Sequence, residues 1–334
     1  MSLDVPVLLI TFRRPEPTAE VVGALRAARP SRLFVAGDGP RAGRPDDAEG
    51  VAATRDVIAR EVDWPVELRT RFHEHNLGCR RGVVDAIDWF LSEVEEGIVL
   101  EDDCVPHPDF FGFCAELLER YRDDERVWSI AGSNAAAVPL AGDASYGFVR
   151  TPQVWGWATW RRAWARYDRD LAAWARVRGT PEVERLLPDP IERSADVAVF
   201  DRMLDEGEPD TWDYQWFASL VVAEGLCVLP RTNLVANVGF GPDATHTVRA
   251  NRRAMAPTGP ILPLVHPERV VRDPDADREL FDRLRGGAKL REIARRRTLI
   301  GRLEGLVALP RRVAGRALRA LRPPARSGGP RAGR

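Results

Sequence analysis

Glu101, Asp102 and Asp103 follow directly on the apolar run Ile98-Val99-Leu100, and this placement poses an electrostatic problem. Like charges a few ångströms apart at the end of a buried strand raise one another's pKa unless a cation compensates. A hard divalent ion, Mn²⁺ or Mg²⁺, is the natural compensation, and it needs only one or two protein carboxylates where phosphate oxygens complete its shell. The triplet thus suits the handling of a phosphorylated ligand through a metal. The plainer alternative is a solvated turn whose carboxylates cap the helix that starts near Pro108.

A second carboxylate, Asp213 in Thr211-Trp212-Asp213-Tyr214-Gln215-Trp216, stands where a helix begins. It could cap that helix or accept a proton as a general base. Trp155, Trp157, Trp160 and Trp164 could form walls for a flat ligand face, although core packing suits most of them. Trp157 is the one expected at a pocket, because Gly156 and Ala158 beside it allow close approach. Arg80 and Arg81 are secondary candidates for phosphate contact, set against an ordinary exposed role. His73-Glu74-His75 is rejected as a metal site, since alternate residues of an extended segment face opposite ways. His246 follows the glycine-rich Gly239-Phe240-Gly241-Pro242 and could belong to a loop that closes over a diphosphate, or be a plain loop histidine.

The elements that must hold these residues alternate. Val5 to Ile10 reads as a buried strand, Pro17 to Arg29 as a helix stopped by Pro30, and Ser31 to Ala36 as a second strand ending at Gly37-Asp38-Gly39-Pro40. A helix over Asp46 to Val62, a strand at Val66 to Arg69, a helix from Arg80 to Glu95 and the strand Ile98 to Leu100 follow. Alternation of this kind predicts an α/β fold with a mostly parallel sheet and right-handed crossovers. Ligands of such sheets bind beyond the carboxyl ends of the strands, so Arg14, Asp38 and Glu101 to Asp103 should share one rim. Further on, the expected elements are a helix to Tyr121, a strand at Val127 to Ala131, the Trp-rich stretch as acceptor-side structure, a helix over Tyr214 to Glu224 and a strand at Leu226 to Leu229. The organisation expected is 1–130 as a nucleotide-binding half, 131–282 as the acceptor-side half of the same domain, and 283–334 as a tail.

Bulk properties narrow the classes. The 334 residues, 44% apolar and 30% charged, can bury a full core. The net charge of −1 divides into +14 from Arg283 to Arg334, where sixteen Lys and Arg meet two Glu, and therefore −15 in residues 1 to 282. The acidic body argues against a nucleic-acid partner. The tail from Leu284 to Leu321 could lie as an amphipathic helix on an anionic membrane or pack on the acidic body, and 323–334 is expected to be disordered. No apolar run reaches eighteen residues and no signal peptide is evident, so the expected location is the cytoplasm, with peripheral contact at the inner membrane face if the tail binds lipid. Cys79, Cys104, Cys114 and Cys227 form no Cys-x-x-Cys pair and are expected as reduced thiols.

Taken together, the segments from residue 5 to residue 249 resemble the nucleotide-diphospho-sugar transferases of the GT-A fold, most closely the N-acetylglucosaminyltransferase I type and its bacterial relatives. Leu9 to Arg14 is similar to the family's first strand and its nucleotide-contacting Arg, here Arg14. Ala36-Gly37-Asp38-Gly39 resembles the place of its uracil-recognising Asp. Val99 to Asp103 followed by Pro108-Asp109-Phe110-Phe111 is the most specific correspondence. The resemblance implies that Asp103 ligates the metal, Asp102 faces the ribose and Glu101 approaches the donor sugar. Gly156-Trp157 is similar to a family Gly-Trp stretch, and Trp212 to Trp216 to a Trp-Asp-Asp-Trp segment that carries the base, with one residue more between the Trp and the second Asp replaced. Gly239 to Thr247 resembles the donor-covering loop. The activity implied is inverting transfer of a hexosyl or N-acetylhexosaminyl group from a nucleoside diphosphate, UDP by preference, to an acceptor hydroxyl such as that of a glycan, with bacterial surface polysaccharide assembly as a setting by analogy. The rival readings are a sugar-1-phosphate nucleotidyltransferase, which should carry a glycine-rich loop where Phe12-Arg13-Arg14-Pro15 stands, and a non-catalytic nucleotide-sugar or glycan-binding protein.

Overall fold

Unbroken apolar runs such as Val7-Leu8-Leu9 and Ile98-Val99-Leu100 can be satisfied only where both faces of a sheet are covered, and the structure, a computed structural model describing residues 3–239 and 256–297, covers them with helices on both sides. The first half alternates strictly: β1 (Val7–Thr11), α1 (Pro15–Ala28), β2 (Arg32–Gly37), α2 (Pro45–Glu61), β3 (Glu67–Phe72), α3 (Cys79–Glu93) and β4 (Glu96–Glu101). There follow β5 (Cys104–Pro106), α4 (Pro108–Arg120), β6 (Val127–Ala131), β7 (Tyr146–Val149) and β8 (Trp157–Trp160). The last stretch holds the short helices α5 (Arg161–Trp164), α6 (Ala172–Val177) and α7 (Glu182–Leu186), then α8 (Pro190–Glu206), α9 (Asp213–Ala223), β9 (Leu226–Pro230), β10 (Val235–Asn237) and α10 (Pro274–Leu284).

Eight strands form one sheet in the order β3-β2-β1-β4-β8-β6-β9-β7, and β5 pairs with β10 in a small separate ribbon. β1 runs parallel to β2 and β4, and β2 to β3, while β8 lies antiparallel between β4 and β6. β9 continues parallel to β6, and β7 closes the far edge antiparallel. The fold is therefore α/β, with a mixed, mostly parallel sheet flanked by helices. β3 is an exposed edge whose Glu67, Arg69 and Arg71 discourage pairing with another chain.

Two features were not anticipated. The Trp-rich stretch, expected as acceptor-side structure, supplies β8, a central strand whose residues are all buried. Its run Trp157-Ala158-Thr159-Trp160 is too short to show a period of two, and so resembles a loop in sequence. Secondly, α8 gives no clean apolar stripe, because its buried face includes Glu192 and Asp196. Arg150 donates to Glu192 Oε1 at 3.0 Å, and Arg285 pairs with Asp196.

The chain forms two compact units, Met1–Arg285 and Gly286–Arg334. In the second, the described backbone is helical over 287–297. Leu299, Ile300, Leu303, Leu306, Val307 and Leu309, on which the amphipathic reading of the tail rests, lie outside the described residues. Among the described residues no helix is long and apolar enough to cross a membrane. All four cysteines are free thiols.

Candidate active site

The parallel strands β1 to β4 end on one rim, and the segments that leave them line a cavity of about 460 Å³. Phe12 and Arg14 come from the end of β1, Asp38 and Arg41 from that of β2, His73 and Asn76 from that of β3, and Glu101, Asp102 and Asp103 from that of β4. Because β8 runs the opposite way, the residues preceding it, Val154 and Trp155, reach the same rim. Asp210, Thr211, Trp212 and Asp213, at the start of α9, complete the wall with Asn237 and Gly239.

The acidic triplet does not cap α4. His107 does so, its Nδ1 accepting from the Asp109 N–H at 3.2 Å. The structure instead supplies a counter-ion that the sequence analysis did not pair with the triplet. Arg14 forms an ion pair with Asp102 Oδ1, and its Nη1 stands 2.9 Å from Asp103 Oδ2. Asp102 Oδ2 also accepts from the Phe12 N–H at 3.0 Å. Burial opposes charge on Arg14, but the two carboxylates outweigh it and hold the guanidinium above its ordinary pKa. Burial raises the pKa of Asp102 against the pull of Arg14. Glu101 has no ion-pair partner among the described residues and is pushed up to about 8, by burial first and then by the charges of Asp103 and Asp102. It therefore carries its proton through most of the neutral range.

Asp213 is the first residue of α9, whose N-cap position is held by Trp212, and its carboxylate makes no capping bond to the helix. Thr211 Oγ1 donates to Asp213 Oδ1 instead, and the other oxygen accepts from no donor among the described residues. The aromatic core sets its position. Trp212 stacks on Trp157, with ring centroids 5.6 Å apart and planes inclined by 23°, while Trp164 packs on both and Trp216 on Trp157 and Trp164. Trp157 is thus not a pocket wall. It is 1% exposed, lies between β4 and β6 in register with Val99 and Ala131, and anchors α9 from beneath. The aromatic residue of this stretch that lines the cavity is Trp155.

Asp38 lines the cavity, yet its carboxylate is occupied by protein donors: the N–H groups of Gly39, Leu77 and Gly78 and the Asn76 amide. Burial raises its pKa. Arg80 and Arg81 lie within the first turn of α3 and do not line the cavity. Arg80 turns away to donate to the carbonyls of Gly207 and Pro209, 2.8 Å for the latter, and so fastens the loop before α9. Arg81 is exposed. His246 lies outside the described residues. Of the loop that begins after β10, Gly239 is described, and its backbone presses on Asp103 and Arg14. A Cβ there would stand 2.1 Å from Asp103 Oδ2 and 2.6 Å from Arg14 Nη1.

No family model and no curated protein matches the chain. Among solved structures it is distantly similar to UDP-glucose pyrophosphorylase complexed with UDP-glucose, at 8% identity and a TM-score of 0.32, over 68% of this chain and 90% of that one. A second likeness is to mouse xyloside xylosyltransferase 1, at 13% and 0.31, over 65% and 81%. A third is to the inositol-1-phosphate CTP transferase of T. maritima, at 10% and 0.30, over 68% and 84%. At these TM-scores the likenesses are distant and fix no family.

Among the described residues of the lining, six carboxylates, Asp38, Glu101, Asp102, Asp103, Asp210 and Asp213, face two guanidinium groups, Arg14 and Arg41. A surplus of hard oxygen donors thus remains after Arg14 is paired, which suits Mg²⁺ or Mn²⁺. Among the described residues no group of three or more His, Cys, Asp or Glu is arranged to hold an ion unaided. An ion here would need oxygens from its ligand, the arrangement expected for a phosphate-bound cation. Asn76 and Asp210 were not singled out from sequence, and Trp155 was named only as one of four candidate walls, with Trp157 preferred to it. The signal for Asn76 was its place in the loop after a parallel strand, since every such loop opens on the same rim.

Proposed function

We propose that the chain transfers a sugar from a nucleoside diphosphate, UDP by preference, to an acceptor hydroxyl, with inversion and with a divalent cation at Asp103. The observation that carries this reading is the convergence of two acidic groups in one cavity: the β4 triplet, with Arg14 between two of its members, and Asp213, whose charge is felt by Glu101. The first group suits a diphosphate neutralised by a cation, and the second suits proton removal.

In this reading Asp213 accepts the hydroxyl proton as the acceptor oxygen forms its bond to the anomeric carbon. The bond from that carbon to the diphosphate oxygen breaks, and its electron pair leaves with the diphosphate. Bound at Asp103, the cation would supply charge neutralisation at the leaving group. Thr211 orients the Asp213 carboxylate, Arg14 offers a positive charge beside the phosphates, and Glu101, in the same lining, can meet a donor hydroxyl. The segment Phe12-Arg13-Arg14-Pro15, which passes straight into α1, contains no glycine, and this disfavours the nucleotidyltransferase alternative.

Release of UDP from a panel of UDP-sugars, with and without Mn²⁺ and a mixed hydroxyl acceptor set, tests the reading. Asp213→Asn should lower transfer by roughly 100- to 10,000-fold, the usual contribution of a general base, and leave nucleotide binding within a factor of about two. Turnover unaffected by the substitution would remove Asp213 from the mechanism. Nucleotide binding without turnover of any donor would favour a binding protein.

A further inference from the structure

We infer that Asn76 reads the nucleobase of the donor and that Asp38 is a positioning residue which fixes the direction in which Asn76 reads. The inference rests on the nucleotide-sugar reading above and names the class of base: an imide, uracil or thymine, in preference to cytosine. Both amide protons of Asn76 are committed. Nδ2 donates to Asp38 Oδ2 at 2.8 Å and to the Gly39 carbonyl at 3.0 Å, two atoms that only accept. The amide orientation is thereby determined by chemistry. The reversed amide would set its oxygen against a carboxylate and a carbonyl, and lose both bonds. Oδ1 is then the one polar side-chain atom of Asn76 that no donor reaches among the described residues, on a residue that lines the cavity. It can accept from a ring N–H, which uracil and thymine carry at N3. Cytosine presents a lone pair at that position and would meet an acceptor with an acceptor.

The surrounding structure holds this arrangement in place. Asp38 is tied to the loop after β3 by the Leu77 N–H at 2.8 Å and the Gly78 N–H at 3.2 Å. Gly39 abuts the same loop so closely that a Cβ would stand 2.5 Å from the His75 nitrogen. With its oxygens so occupied, Asp38 is better suited to hold Asn76 than to meet a base itself. The location is also suitable. Asn76 follows β3 and the acidic triplet ends β4, with β2 and β1 between, and three inter-strand steps span roughly 14 Å. That is comparable with the separation of base and diphosphate in an extended nucleotide. Arg41 and His73, from the segments that leave β2 and β3, also line the cavity.

Competition binding of UDP, TDP and CDP in the presence of Mn²⁺, on the full chain, tests the inference. Wild type should prefer UDP and TDP to CDP at least tenfold, the cost of leaving one polar group unpaired. Asn76→Ala should weaken UDP and leave CDP within about twofold. Asp38→Asn, which can donate to a reversed Asn76, should bring the UDP to CDP ratio to about threefold or less with a gain in CDP affinity, whereas loosening of the loop tied by Leu77 and Gly78 would weaken UDP with no gain for CDP. Equal wild-type affinity for UDP and CDP overturns the inference, as does a ratio unchanged in both variants. If none of the three nucleotides binds wild type, the nucleotide-sugar reading itself fails, and the inference with it.

Discussion

Arg14 Nη1 stands 2.9 Å from Asp103 Oδ2, so the carboxylate proposed to ligate a cation already carries a cationic partner from its own chain. The adjacency of three acidic residues therefore does not by itself demand a metal, because the guanidinium compensates two of them. A cation at Asp103 must share or displace this contact, and a displaced Arg14 would be free to meet phosphate. Removing a partner from a buried ion pair costs about 3–5 kcal/mol where the remaining charge stays uncompensated. Arg14→Gln should accordingly melt below wild type at neutral pH in metal-free buffer, and Mn²⁺ should raise its melting temperature more than it raises that of wild type. Equal Mn²⁺-dependent shifts in the two proteins, measured by differential scanning fluorimetry, would mean that the ion does not compete for this pair.

Glu101 gives a pH signature of definite sign. Its folded-state pKa of about 8 lies above the usual carboxylate value because burial and the neighbouring charges of Asp103 and Asp102 favour the protonated form. Between about pH 4.5 and 8 the folded chain thus holds a proton that the unfolded chain has released, and stability falls as pH rises through that window. Glu101→Gln keeps the neutral shape and removes the titration. The variant should gain stability relative to wild type progressively from pH 5 to pH 8.5, in metal-free thermal melts across that range. Parallel melting curves at every pH would place the Glu101 pKa in the ordinary range.

Much of this architecture was legible because β1, β2 and β4 are apolar runs that end in polar or glycine-containing turns, and the α/β alternation brings all their ends to one rim. Arg14, Asp38 and the β4 triplet fall on that rim for this topological reason. What spacing could not supply was direction. Arg80 and Asp38 are both polar and close in space to α3, yet Arg80 turns to the carbonyls of Gly207 and Pro209, contacts made across more than 120 residues of sequence. Trp155 and Trp157 differ by two positions. One precedes β8 and reaches the cavity, whereas the other is the first residue of a central strand and points into the aromatic core.

That contrast predicts different phenotypes for the two tryptophans. Truncating a fully buried aromatic costs about 3–5 kcal/mol, and Trp157 also stacks on Trp212, next to Asp213. Trp157→Ala should lower unfolding stability by about that amount and impair transfer through loss of the α9 position. Trp155→Ala, at a partly buried side chain that also packs against the core, should cost less stability than Trp157→Ala and act on ligand binding as well. Urea denaturation of both variants, with nucleotide affinity measured alongside, separates the two roles. Comparable destabilisation by both would refute the placement of Trp155 at the cavity.

Gly239 allows the backbone leaving β10 to pass directly over the acidic group. The Val238 N–H donates to the Asp103 carbonyl at 2.8 Å, which fixes this segment against the triplet, and a Cβ at Gly239 would fall within 2.1 Å of Asp103 Oδ2. Asp103 is too short to yield without turning its carboxylate, whereas Arg14 can swing its guanidinium aside. Gly239→Ala should therefore act on the Asp103–Arg14 pair more than on the fold, costing about 1–3 kcal/mol as an overpacked site does. UDP affinity in Mn²⁺ should fall by about tenfold, and its dependence on Mn²⁺ should weaken, because the reoriented carboxylate no longer faces the diphosphate. Calorimetric titration of UDP with and without Mn²⁺ reads both effects. Unchanged affinity and unchanged metal dependence in a folded variant would show that Asp103 does not serve the nucleotide.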